Sequence, residues 1–135
     1  MSIAKKITFL NGCIGAGFPT PASDYAASPI DINDLVIDNP TATYFAKVEG
    51  KSMVGAGILE GSYLVIDRSK NAVHNDIVVA VLNGEFMVKR LFIDAGQITL
   101  SPENDAYAPV IIHSGMDFHV WGIVTWVFTP ATCMQ

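Results

Sequence analysis

From residue 41 onward the apolar residues fall into short runs separated by turn residues, and no stretch repeats with the 3.6-residue period of an amphipathic helix. Thr43-Tyr-Phe-Ala-Lys-Val48 reads as a strand, and Tyr63-Leu-Val-Ile66 as a short apolar strand ending at Asp67. Ile77-Val-Val-Ala-Val-Leu82 is rich in β-branched residues and has the character of a buried strand. Asn83-Gly84 then gives the strongest short hairpin signal, because a type I′ turn needs positive φ at both positions. The return strand runs from Glu85 to Phe92, and further strands are expected at Gln97-Ile-Thr-Leu100, Val110-Ile-Ile112 and Phe118–Phe128, with Ser101-Pro-Glu-Asn104 as a turn. The pattern predicts a mainly β domain over residues 41–135, a curled, partly open, barrel-like sheet.

Residues 1–40 have a different texture. Asn11-Gly-Cys-Ile-Gly-Ala-Gly17 is glycine-rich, Phe18-Pro-Thr-Pro21 favours extended backbone, and Ser28-Pro29 and Asn39-Pro40 add two breaks. Between them Asp31-Ile-Asn-Asp-Leu-Val-Ile37 suits a short helix with an acidic first turn. The expectation is a flexible N-terminal arm with little core of its own. Its apolar stretch Ile7-Thr-Phe-Leu10 is too short for a signal-peptide core or a membrane span.

Composition narrows the function classes. A chain of 135 residues suits one domain, and with 50% hydrophobic residues it can build a proper core. A net charge of −5 speaks against a nucleic-acid-binding surface, so any link to DNA is expected to run through a protein partner. Cys13 and Cys133 form no Cys-x-x-Cys pair, and His74, His113 and His119 lack ligand spacing, so neither a metal nor a cofactor is expected. A cytoplasmic protein with free thiols is the simplest reading. The histidines read as surface or edge residues, Trp121 and Trp126 as core or dimer surface, Asp31, Asp34 and Asp38 as a solvated helix face, and Asn104 and Asp105 as a turn.

The candidate chemistry lies in Gly50-Lys51-Ser52-Met53, between the first strand of the β domain and Gly55-Ala-Gly57, which reads as a flexible glycine patch. A serine held there can be exposed beside free backbone N–H groups, as a nucleophile requires, although most such tetrapeptides are plain surface turns. Its possible partner is Lys89, in Glu85-Phe-Met-Val-Lys-Arg-Leu-Phe92. Alternation puts Met87, Lys89 and Leu91 on one face and Phe86, Val88, Arg90 and Phe92 on the other, so at least one of the two cations sits among apolar neighbours. A desolvated lysine loses its preference for the charged form and can take a proton from serine. The competing reading has Lys89 extending to solvent at a sheet edge.

Taken in order, Gly50-Lys51-Ser52-Met53, Glu60-Gly-Ser-Tyr-Leu-Val-Ile-Asp67, Asn75-Asp-Ile-Val78 and Asn83-Gly-Glu-Phe-Met-Val-Lys-Arg-Leu91 resemble the LexA/UmuD family of self-cleaving Ser-Lys peptidases, and within it the UmuD-type SOS mutagenesis proteins. The likeness extends to Gly17-Phe-Pro-Thr-Pro-Ala-Ser-Asp-Tyr25, Pro40–Phe45, Ser101–Tyr107 and Val120–Val124, covering roughly residues 13 to 127. The resemblance implies that Ser52 is the nucleophile, Lys89 the general base, and the N–H groups of Ser52 and Met53 the oxyanion donors. It implies self-cleavage at Ala16-Gly17, stimulated by the RecA–single-stranded-DNA filament. The shortened homodimer would then join a Y-family DNA polymerase subunit in translesion synthesis. Only 16 residues precede that bond, which leaves no room ahead of it for the helix-turn-helix domain of a LexA-type repressor. One position departs from the family pattern: Lys51 stands where Asp is usual. Lys51 can lower the Lys89 pKa further as a second cation, or disturb the turn or the docking of the activating partner. The rival readings are a processing protease acting on other proteins and a non-catalytic dimeric interaction module.

Overall fold

The computed structural model describes residues 5–19, 21–22 and 26–134. Thr20 and residues 23–25, part of the run Gly17–Tyr25 singled out above, lie outside the described residues. The chain divides into two compact units, Met1–Asp38 and Asn39–Gln135.

In the first unit β1 (Ile7–Leu10) pairs antiparallel with β2 (Ala27–Ile30), in the register Ile7↔Ile30 to Leu10↔Ala27. Beyond the pair, the Asn11 N–H donates to Ala26 O at 2.7 Å and Ser28 Oγ to Asn11 Oδ1 at 3.0 Å. Ser28-Pro29, expected as a break, therefore sits inside a strand. Proline is tolerated there because, among the described residues, β2 has a single partner strand, and an edge position does not require every N–H. The short helix α1 (Ile32–Val36) forms as expected, with the Asp31 side chain accepting from the Asn33 N–H at 2.9 Å as its N-cap.

The second unit is one open antiparallel sheet. Its strands are β3 (Thr43–Lys47), β4 (Tyr63–Asp67), β5 (Ile77–Leu82), β6 (Glu85–Asp94), β7 (Gln97–Ser101), β8 (Val110–Ile111) and β9 (Phe118–Phe128), in the spatial order β3-β4-β9-β5-β6-β7-β8. The sheet curls without closing, in line with the mainly β expectation. The Asn83-Gly84 turn has φ of 50° and 82°, positive at both positions as a type I′ hairpin needs. Ala95-Gly96, between β6 and β7, repeats that geometry at 49° and 81°.

The long strand β9 carries two irregularities of the kind that bend and twist a sheet. Its pairing slips by one residue opposite Val65/Ile66 and again opposite Val79/Ala80, leaving Thr125 and Trp121 as the extra residues of two bulges. Gly122 sits at the second bulge, where an added Cβ would lie 2.5 Å from Ile66 Cγ2, so only glycine lets the strands approach this closely.

Adjacent residues of a strand face opposite sides, and the core divides accordingly. Val79 packs with Met53, Ile58, Leu64 and Ile66 on one side. Val78 packs with Ala80, Leu91, Leu100 and Ile123 on the other. Asp67, at the end of β4, is 3% exposed and accepts from the Ser69 N–H at 2.8 Å and from Ser69 Oγ, with Asn39 Nδ2 at 3.4 Å. The Ser69 hydrogen bonds hold its carboxyl below the usual carboxylate range.

Candidate active site

The serine loop connects β3 to β4, and its shape follows from three residues. Gly50 has φ +91°, a left-handed turn that a side chain would resist, and its N–H donates to Glu60 Oε2 at 2.8 Å. Met53 is 2% exposed, sunk among Ile58, Leu64 and Ile66. One 3₁₀ turn, Val54–Ala56, follows and ends at Gly57, with φ +82°. The stretch read as a flexible glycine patch is thus an ordered turn anchored by the methionine beside Ser52. Among the described residues, neither the Ser52 nor the Met53 N–H donates to a protein acceptor.

Lys89 comes from β6, paired with Val78 of β5. Its Nζ lies 2.7 Å from Ser52 Oγ and donates to it when charged. Burial pushes the lysine pKa down from the ordinary value of 10.5. Lys51 is exposed. The turn is regular, with the Lys51 carbonyl accepting from Asn104 Nδ2 at 2.9 Å. Of the two readings of Lys89, extension into solvent does not describe its contact with Ser52.

Residues 103–104, read from sequence as part of a turn, bind the serine loop directly. The Glu103 N–H donates to Ser52 O at 2.8 Å, and the Gly55 N–H donates to Glu103 O at 2.7 Å. The Glu103 carboxylate accepts from Arg90 Nε, and Arg90 Nη1 donates to Asn75 O at 2.7 Å. β7 pairs with β6 only from Arg90 to Asp94, so beyond Ser101 the chain leaves the sheet and crosses to the serine loop. The Pro-Glu-Asn sequence after a strand carried the turn signal, but nothing in it named the partner.

Ala16 and Gly17 lie in the first unit, both exposed, and a Cβ at Gly17 would meet nothing within 4 Å. Cys13 and Cys133 are exposed free thiols. The His74 ring accepts from the Ile93 N–H at 2.9 Å and lines a shallow cavity of about 480 Å³ with Phe92, Ile93, Asp94, Gln97 and Thr99, which contains neither Ser52 nor Lys89. Among the described residues, no group of three or more His, Cys, Asp or Glu is placed to hold a metal ion, and no helix is long and apolar enough to cross a membrane.

Comparison with known proteins adds a family. A model described as peptidase S24-like matches residues 8–125. The chain is 42% identical over 109 residues to Protein ImpA of Salmonella typhimurium, covering 73% of this chain and 75% of that protein. It is 38% identical over 124 residues to Protein MucA of Escherichia coli, covering 92% and 85% of the two chains. It is also 40% identical over 116 residues to the LexA repressor of Magnetococcus marinus, covering 84% of this chain and 48% of the repressor.

Proposed function

The chain belongs to the peptidase S24-like family, and from that membership we propose that it is a self-cleaving serine peptidase of the LexA/UmuD type, with Ser52 as nucleophile and Lys89 as general base. The observation that carries the reading is the 2.7 Å contact between Lys89 Nζ and Ser52 Oγ, made by a lysine whose burial favours the neutral amine.

In the reaction, neutral Lys89 takes the Ser52 hydroxyl proton as Oγ attacks the carbonyl carbon of Ala16. The tetrahedral oxyanion accepts hydrogen bonds from the Ser52 and Met53 N–H groups, which are free of protein acceptors among the described residues. As the intermediate collapses, Lys89 returns the proton to the departing amine of Gly17, leaving Ala16 as an ester on Ser52. Water, deprotonated by Lys89, then hydrolyses the ester and releases residues 1–16 from residues 17–135.

The wider setting is part of the same proposal. Residues 1–40 act as the arm that carries the scissile bond, and residues 41–135 as the catalytic and dimerisation domain. Cleavage occurs in the cytoplasm in response to a RecA–single-stranded-DNA filament. The shortened homodimer serves as accessory subunit of a Y-family translesion polymerase. The acidic net charge of −5 favours contact with DNA through these partners rather than directly. Exposed Lys51, which leaves the Ser52–Lys89 contact intact, favours a working site over the interaction-module reading.

The test is intact mass after incubation of the purified protein at alkaline pH, where Lys89 is neutral without an activator. A fragment beginning at Gly17, absent from Ser52→Ala and Lys89→Ala, is the expected result. An unchanged mass, even with the RecA filament added, refutes the peptidase reading.

A further inference from the structure

Two neighbours on β6 reach the same loop from different directions. Lys89 touches Ser52 Oγ itself, and Arg90 reaches the loop through Glu103. Glu103 is tied to the serine loop by both of its main-chain groups, its N–H to Ser52 O and its carbonyl to the Gly55 N–H. Asn104 adds a third tie, from Nδ2 to Lys51 O, while its Oδ1 accepts from the Ala106 N–H at 3.0 Å and keeps the side chain in place. The loop is thereby held at residues 51, 52 and 55 by one two-residue segment. The side chain of that segment's first residue is anchored on the strand that carries the lysine.

We propose that the Arg90–Glu103 ion pair is a positioning device, fixing the serine loop at hydrogen-bond distance from Lys89. The proposal deepens the self-peptidase reading and rests on it for its kinetic consequence.

An isolated surface ion pair contributes little, because solvent screens it and two long side chains must be ordered to make it. This pair differs in two respects. Its side chains are 26% and 31% exposed, and the guanidinium is already ordered by a second hydrogen bond to Asn75 O. Its geometric role also exceeds its energy. When the carboxylate is held, the Glu103 main chain is held, and with it the Ser52 carbonyl. Arg90 also pairs with Ser101 in the β6–β7 register, so the clamp continues the sheet and does not depend on a free loop. Displacing a nucleophile by an ångström costs as much as about 100-fold in rate.

The test uses the full chain. Alkaline self-cleavage is timed for Glu103→Gln, Arg90→Met, Arg90→Lys and the Arg90→Met/Glu103→Gln double variant, with a thermal melt on each. The expected result is cleavage slowed about 10- to 100-fold in Glu103→Gln and Arg90→Met. Arg90→Lys should be partly restored, and the double variant no slower than the slower single, as for residues acting as one unit. In parallel, amide hydrogen exchange at Gly55 is measured in a Ser52→Ala background, where the chain stays intact. It should quicken when Glu103→Gln is added. Single variants cleaving at the parent rate, or a double variant whose loss is the product of the two, overturn the proposal. So does a loss of rate that tracks the melting temperature across all variants. If the parent chain does not cleave at all, the peptidase reading fails, and Gly55 exchange alone decides the clamp: unchanged exchange overturns it and faster exchange upholds it.

Discussion

Gly55→Ala is the sharpest probe of how the serine is held. Gly55 is not among the residues with positive φ, so alanine meets no backbone penalty there. The obstacle is steric and comes from main chain: an added Cβ would stand 2.5 Å from Glu103 O, 3.3 Å from Glu103 C and 3.4 Å from Glu103 Cβ. Non-bonded carbon contacts settle near about 3.5 Å, so the loop and residue 103 must separate by about 1 Å. Either the Gly55 N–H to Glu103 O bond of 2.7 Å opens, or the serine loop retreats as a body and carries Ser52 Oγ from its 2.7 Å contact with Lys89. Under the proposed mechanism a shift of that size should lower the self-cleavage rate by about 100-fold. Overpacking of this kind costs about 1–3 kcal/mol of stability.

The assay is the first-order rate of alkaline self-cleavage followed by intact mass, with a thermal melt beside it. Gly115→Ala is the control, since its Cβ would make an ordinary contact 3.6 Å from His113 Nδ1 and Gly115 has no positive φ. Gly55→Ala cleaving within about twofold of the parent would refute the argument, because a loop that absorbs an ångström without kinetic effect is not positioning the nucleophile.

Other outcomes follow from the two shifted groups. In the proposed mechanism Lys89 acts as the neutral amine, so the cleavage rate should climb about tenfold per pH unit and level off below the ordinary lysine value of 10.5; a pH-independent rate would count against Lys89 as base. The same lowered pKa makes charged Lys89 a cost to the fold. Between its folded value and 10.5 the unfolded chain binds more protons, so stability rises with pH through that window, and the cost is full below it. Lys89→Met should therefore melt higher than the parent at neutral pH, by a margin that shrinks as pH rises through the window. Asp67 runs the other way: its folded pKa lies below the ordinary 3.8, so its contribution is present above that value and is lost as pH falls through the folded one. Acid unfolding monitored by circular dichroism should show this loss in the parent, and a shallower dependence over the same window in Asp67→Asn.

Much of the β unit was legible because its signals are local. Alternating and β-branched runs marked β4, β5 and β9, and Asn83-Gly84 fixed the β5–β6 register through the only backbone geometry that suits it. Less legible was whatever depends on a distant partner. Pro29 looked like a break because proline lacks a donor, but a strand with one neighbour does not need every donor. Gly55-Ala-Gly57 looked flexible because glycine is permissive. The turn is ordered by Met53 beneath it and Glu103 across from it, neither of which a reading of the tripeptide contains.

The site divides along the same line. Ser52 and Lys89 were identifiable as chemical types, and their order along the chain matched a known family, yet 37 residues separate them and only the fold brings their side chains to 2.7 Å. Glu103 and Asn104 announce no chemistry, because their work on the serine loop is done largely by main-chain groups that every residue possesses. Sequence can flag a nucleophile because few residue types can serve. It cannot flag which backbone carbonyl or amide holds that nucleophile still, since the information lies in where β7 ends. β7 stops pairing at Ser101, opposite Arg90, and the next two residues turn toward the serine. Two more residues of β6–β7 pairing would put Glu103 in the ladder, opposite Val88, and away from Ser52. The length of that strand is thus as much a determinant of the site as the identity of Lys89, and it is a property of pairing rather than of any single residue.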